Sequence, residues 1–161
     1  MFEQLAFSQL FPASESDSPK SILDIARSSE TAKIVILVVE DNISNFKLIA
    51  RLLDTLGVQC EWKTSGYEVV EFAHSLARID LILMDIRLPY EDGYAAMRKI
   101  RQSNLFNKIP IIAVTAVADP EQMKMAQLAG FDGFIGKPLD PDRFPGQIKN
   151  ILSGKAVWEY N

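Results

Sequence analysis

The chain has 161 residues, 48% of them apolar and 24% charged, with a net charge of −4. That length suits one domain with a core of its own and a short appendage, and the mild acidity argues against nucleic-acid binding through a broad basic face. Cys60 is the only cysteine, which excludes an intrachain disulfide and suits a reducing compartment, and no apolar run reaches the ~20 residues needed to cross a bilayer.

Residues 1–11, MFEQLAFSQLF, are apolar in places, but Glu3 and Gln4 stand where a secretory leader carries positive charge. The chain is therefore expected to stay in the cytoplasm. Residues 12–20, PASESDSPK, have the Ser, Pro and charge content of a linker. Ser18-Pro19 can open a short helix with Ile22, Ile25 and Ala26 on one face, because Ser caps and Pro suits the first helical position. Residues 1–32 are read as an extension with short helices and no chemistry of its own. Its apolar residues Phe2, Leu5, Phe7, Leu10 and Phe11 suggest a homodimer contact or a partner arm.

From residue 33 the pattern becomes regular. Residues 33–39 carry a continuous apolar run, as in a strand buried on both faces. Residues 44–56 place Phe46, Ile49, Leu53 and Leu56 at helical spacing, and Gly57 ends the element. Residues 58–63 read as a strand and 66–77 as a helix with Val69, Val70 and Phe72. Residues 81–84 form a second apolar strand, ending in Asp85. A helix over 93–102 carries Met97 and Ile100, and a third apolar strand over 109–114 ends at Thr115. Asp119-Pro120-Glu121-Gln122 opens a helix that stops at Ala129-Gly130: Asp caps, Pro fills the first position, and Gln sits three residues on. Residues 131–135 form a short strand before Gly136-Lys137-Pro138. A last helix over roughly 143–152 turns Phe144, Ile148 and Ile151 inward, and starts near Arg143 because Pro145 is tolerated only in the first turn. Five strands alternating with five helices predict a parallel sheet covered on both faces. The domain runs over 33–153, and 154–161 is a short tail whose Trp158 and Tyr160 are expected to cover the surface.

Ligands of such sheets bind beyond the carboxyl ends of the strands. Glu40 and Asp41 follow the first strand, Asp85 the third, Thr115 the fourth and Lys137 the fifth. A parallel sheet brings all of them to one edge. Adjacent carboxylates repel unless a cation lies between them. Hard oxygen donors suit Mg2+, which keeps waters and takes a phosphate oxygen, with Mn2+ as a substitute. A carboxylate is also a nucleophile toward phosphorus, and a lysine with a metal neutralises a transferring phosphoryl group.

The segments ILVVEDN, LILMDIRLPYEDG, PIIAVTA and FIGKP, in this order and spacing, resemble the receiver domains of two-component response regulators. The resemblance covers residues 33–153. It implies a flavodoxin-like α/β fold, a doubly wound five-stranded parallel sheet of order 2-1-3-4-5. It implies Asp85 as phosphoacceptor, Asp41 as a direct Mg2+ ligand with Glu40 reaching the ion partly through water, and the backbone carbonyl of Arg87 as a further ligand. Thr115 would be the switch hydroxyl. Lys137 would pair with phosphate, and its bond to Pro138 is often cis in the family. Phe134 stands where the family places an aromatic that turns inward on activation. Positions 87 and 117 tune phosphoryl hydrolysis in the family; Val117 offers no polar group to orient water, so slow decay is expected.

The implied function is a phosphorylation-controlled switch rather than an enzyme acting on other substrates. A sensor histidine kinase or a histidine phosphotransfer protein would donate the phosphoryl group. The readout would be a downstream protein bound on the fourth helix, fifth strand and fifth helix, or onward phosphotransfer. After Leu152 only SGKAVWEYN remains, too short for a DNA-binding unit, so output is expected through protein contact, onward phosphotransfer or a domain outside this sequence. A phosphatase of the haloacid dehalogenase class needs an acid two residues after its nucleophile, where this chain has Arg87. A phosphorylation-independent, receiver-like binding scaffold stays open as the alternative. His74, beside Phe72 and Leu76, reads as a surface or core-edge histidine, and Cys60 as a small buried residue.

Overall fold

The computed structural model describes residues 33–160. The extension over 1–32, with its expected helices and dimer contact, lies outside the described residues. The first strand, β1 (Val35–Val39), is buried along its whole length. Helix α1 (Ile43–Asp54) follows; its N-cap Asn42 accepts the Ser44 and Asn45 N–H groups at 2.9 and 3.0 Å. Then come β2 (Gln59–Lys63), α2 (Val69–Ser75), the fully buried β3 (Leu81–Met84), and α3 (Gly93–Gln102). The last elements are β4 (Ile111–Thr115), α4 (Pro120–Ala129), β5 (Gly133–Gly136), α5 (Phe144–Leu152) and β6 (Trp158–Glu159).

All strands are parallel, in the order β2-β1-β3-β4-β5-β6. The expected 2-1-3-4-5 order holds, but the sheet has six strands rather than five. Trp158, expected together with Tyr160 as a packing cover, forms with Glu159 a strand that pairs with β5. Two residues are too few to show the alternation that marks a strand in sequence. Gly154, at φ +89°, turns the chain out of α5 and back toward the sheet. Helix α2 is shorter than the expected 66–77, because Glu68 at its start is left-handed (φ +53°) and the helix cannot extend back through it.

Successive side chains of a strand point to opposite faces. Ile36 and Val38 therefore pack with Ile49 and Leu53 of α1 and Phe144 and Ile148 of α5. Leu37 and Val39 pack with Val69 of α2, Met97 and Ile100 of α3 and Ala126 of α4. Both faces of the central strands are covered, which is why their sequences are apolar without a break. β2 lies at one margin of the sheet and is only half-buried. Its thiol, Cys60, is pushed up from 9.0 to about 11 by burial, with the charge of Glu61 adding to the shift.

Two predictions follow from these local features. Tyr90 is 95% exposed and sits at φ +66°, a conformation that costs a non-glycine residue about 1 kcal/mol. Tyr90→Gly should raise stability by roughly that amount in urea unfolding; a lower midpoint would show that the tyrosine makes compensating contacts. The thiolate is the reactive form of cysteine, so the raised Cys60 value leaves little of it at neutral pH. Alkylation by iodoacetamide should run about 100-fold slower in the native chain than in the urea-unfolded one, with equal rates as the contrary result.

Candidate functional site

The carboxyl ends of β1, β3, β4 and β5 lie side by side, so the residues that follow them meet at one edge. Asp85 N–H donates to the Val39 carbonyl at 2.9 Å, and Lys137 N–H donates to the Thr115 carbonyl at 2.8 Å. These bonds continue the sheet ladder one step past the strands and set the loops in place.

Glu40 and Asp85 are 2% and 8% exposed. Carboxylates are rarely buried to this degree unless paired. Lys137 is the shared partner: its Nζ donates to Asp85 Oδ2 at 2.9 Å and to Glu40 Oε2. The second oxygen of each acid is held by backbone. Asn42 N–H donates to Glu40 Oε1 at 3.0 Å, and Arg87 N–H donates to Asp85 Oδ1 at 3.0 Å. Burial alone would lower the Lys137 pKa; the hydrogen bonds to Glu40 and Asp85, and their charges, outweigh it and hold the ammonium above the ordinary lysine value.

Asp41 is exposed, yet its carboxylate lies with those of Glu40 and Asp85 within a mutual span of 4.8 Å. Three carboxylates therefore face one ammonium. The formal surplus of negative charge and the all-oxygen donor set fit a hard divalent cation. Thr115 is fully buried, and its Oγ1 accepts the Val117 N–H at 3.4 Å. Phe134 is also fully buried, within the cluster that includes Met84 and Ala113. The Arg87 side chain is exposed, and the Lys137–Pro138 peptide is cis. His74 is exposed and meets Phe106 edge-on, ring centroids 4.9 Å apart.

The structure adds two residues to the site that sequence reasoning passed over. Trp62 Nε1 donates to the Glu40 carbonyl at 2.8 Å, and its ring stacks on Phe46 at 4.2 Å. The β1–α1 turn is thereby fixed from β2. Gly93 packs against the backbone of Asp85: a Cβ there would lie 2.3 Å from the Asp85 carbonyl oxygen and 2.8 Å from Ile86 Cα. Only glycine lets α3 begin this close to the acid. The glycine was visible in LPYEDG; a strand-to-helix approach of this kind was its one available signal.

Residues 36–149 match the family model of the response regulator receiver domain. The chain belongs to that family, a class of signalling domain in two-component systems. Among curated relatives, the polar-differentiation response regulator DivK of Brucella anthropi is 34% identical over 117 residues, which are 73% of this chain and 94% of DivK. The peroxide stress-activated histidine kinase mak1 of Schizosaccharomyces pombe is 36% identical over 123 residues, 73% of this chain but 8% of that kinase. The chain spans 15% of the similarly related kinase BarA of Escherichia coli, so it corresponds to a small part of such proteins. Among solved structures, the receiver domain of a sensor histidine kinase from Pseudomonas aeruginosa is 35% identical with a TM-score of 0.68, covering 77% of this chain and 100% of that one. It carries a magnesium ion coordinated in its active site cleft. No helix among the described residues is long and apolar enough to cross a membrane.

Removing Lys137 leaves two buried carboxylates facing each other without a counter-charge. Lys137→Ala should destabilise the fold by about 3 kcal/mol in the absence of divalent cations, measured by urea unfolding. Excess Mg2+ should recover part of that loss by binding the folded chain. Stability equal to wild type would refute the bridge as a structural element.

Proposed function

We propose that this receiver domain accepts a phosphoryl group on Asp85 from the phosphohistidine of a sensor kinase or a histidine phosphotransfer protein. The observation that carries the reading is the way the Asp85 carboxylate is held, one oxygen on the Arg87 N–H and the other on the Lys137 ammonium, beside two further acids. A carboxylate oxygen of Asp85 attacks phosphorus in line. The P–N bond to the donor imidazole breaks, and the imidazole leaves with the electron pair. Glu40, Asp41, Asp85 and the Arg87 carbonyl would hold Mg2+, or Mn2+ in its place, which would supply positive charge beside the phosphoryl oxygens. Lys137 neutralises the charge on the opposite side and then pairs with the product phosphoryl group.

Thr115 gives up its contact with the Val117 N–H and donates its hydroxyl to a phosphoryl oxygen. Phe134, on the neighbouring strand, repacks as Thr115 shifts. The result is a population shift between two states, set by what each contacts at the phosphoryl group. The chain changes its own covalent state and turns over no separate substrate, so it acts as a switch in the cytoplasm rather than as an enzyme. A downstream protein would read the face of α4, β5 and α5, where Met125 and Leu128 expose apolar surface, or the phosphoryl group would pass onward.

Intact-protein mass spectrometry after incubation with acetyl phosphate and Mg2+ tests the reading. One added phosphoryl group is expected, absent in Asp85→Asn and absent without the metal; no gain in the folded wild type overturns it. After donor removal the added mass should decay over minutes or longer, because Val117 cannot orient a hydrolytic water; loss within seconds would refute that expectation.

A further inference from the structure

Strand β6 is tied to the acidic edge at several points. Phe134 pairs in register with Trp158, and Ile135 with Glu159. Phe134 N–H donates to the Val157 carbonyl at 2.8 Å. Paired residues of parallel strands share a face, and Trp158 packs into the cluster that holds Phe134, Met123 and Ala126. On the α5 side, Glu159 accepts from Arg143 Nη2 at 2.7 Å and from Gln147 Nε2.

The tightest contact lies at Gly136, the last residue of β5 and the neighbour of Lys137. A Cβ there would sit 2.6 Å from Ala118 Cβ, 3.1 Å from Tyr160 Cα and 3.3 Å from Tyr160 Cβ. Ala118 lies three residues beyond Thr115. The loop after the switch hydroxyl, the end of β5 and the backbone of Tyr160 thus meet in a space too small for a methyl group. Close-packed contacts transmit a displacement instead of absorbing it. The segment is short: Val157 is buried in the core and Trp158 is half-buried, while Tyr160 at its end is exposed. The strand is two residues long, and an exposed ion pair such as Arg143–Glu159 contributes only about 0–1 kcal/mol. A two-residue strand at the margin of a sheet opens more readily than the central strands.

We propose that residues 157–160 form a strap over the edge of β5 that opens when Asp85 is phosphorylated. The proposal rests on the phosphoacceptor reading above. A phosphoryl group gives Lys137 and Thr115 a new partner. Gly136 adjoins Lys137 and Ala118 lies on the loop after Thr115, so a shift of either is felt where Gly136 meets Ala118 and Tyr160. Release of Tyr160 and Trp158 bares the backbone groups of β5 that β6 now pairs. By linkage, loosening the strap favours the phosphorylated state.

Hydrogen–deuterium exchange on the full chain reads the strap directly, with intact mass recorded on the same samples. Acetyl phosphate supplies the phosphoryl group: the Asp85 oxygen bonds to phosphorus, the P–O bond breaks and acetate leaves. In phosphorylated wild type, exchange at residues 157–160 and at the Phe134 amide should rise at least about fivefold, the lower end of ordinary coupling between sites, and should stay unchanged in Asp85→Asn. A chain that gains the phosphoryl mass with no change in exchange overturns the strap and leaves the phosphoacceptor reading standing. A chain that gains no mass overturns both. Trp158→Ala supplies the reciprocal measurement: exchange at the Phe134 amide is already fast without donor, and phosphoryl mass accumulates faster than in wild type. Equal rates of accumulation in the two chains would also overturn the coupling.

Discussion

The bridge from Lys137 to Glu40 and Asp85 is the interaction on which the acidic edge depends. Two carboxylates almost wholly removed from water would be strongly unfavourable without a counter-charge. A single ammonium satisfies one oxygen of each, and two backbone N–H groups satisfy the others. The cluster is neutralised only in part, because Asp41 adds a third carboxylate within reach. A fully paired site would offer little to a cation. This one is stable enough to be buried and retains enough negative charge to attract a divalent ion.

The rest of the fold serves to bring these groups together. Glu40, Asp85 and Lys137 are far apart in sequence and meet because β1, β3 and β5 are parallel and end at the same height. Close approaches are made by removing side chains. Gly93 lets α3 start against the Asp85 backbone, and Gly136 lets the end of β6 press on β5 beside the lysine. Trp62 secures the remaining flank by bonding the Glu40 carbonyl from β2. Each neighbour of the site is thus anchored in a different element: Gly93 in α3, Gly136 in β5 and Trp62 in β2.

The same unit recurs in proteins of very different size. It matches nearly the whole of DivK and a small fraction of mak1. A site assembled on one edge of one sheet carries its positioning residues with it, which is what such portability requires. The similar domain from Pseudomonas aeruginosa holds magnesium in its cleft, and the oxygen donors gathered here are of the type that ion takes.

Much of this was legible in the residues themselves. VILVV, LILM and IIAVT announce strands buried on both faces, and Glu40, Asp41, Asp85, Thr115 and Lys137 are each placed by following or ending a strand. The cap Asp119 fixes a helix start through a bond to its own near neighbour Gln122. What the sequence by itself determined was therefore local: periodicity, caps, and which polar residues stand at strand ends. The start of α2 was misplaced because a left-handed Glu68 has no composition signal, and β6 was missed because two residues carry no period. Only the tertiary structure decided that one lysine serves two acids, that a tryptophan from β2 holds the carbonyl of Glu40, and that Tyr160 closes on Gly136. Those contacts depend on the register and spacing of strands remote in the chain, and that information resides in packing rather than in any short run of residues.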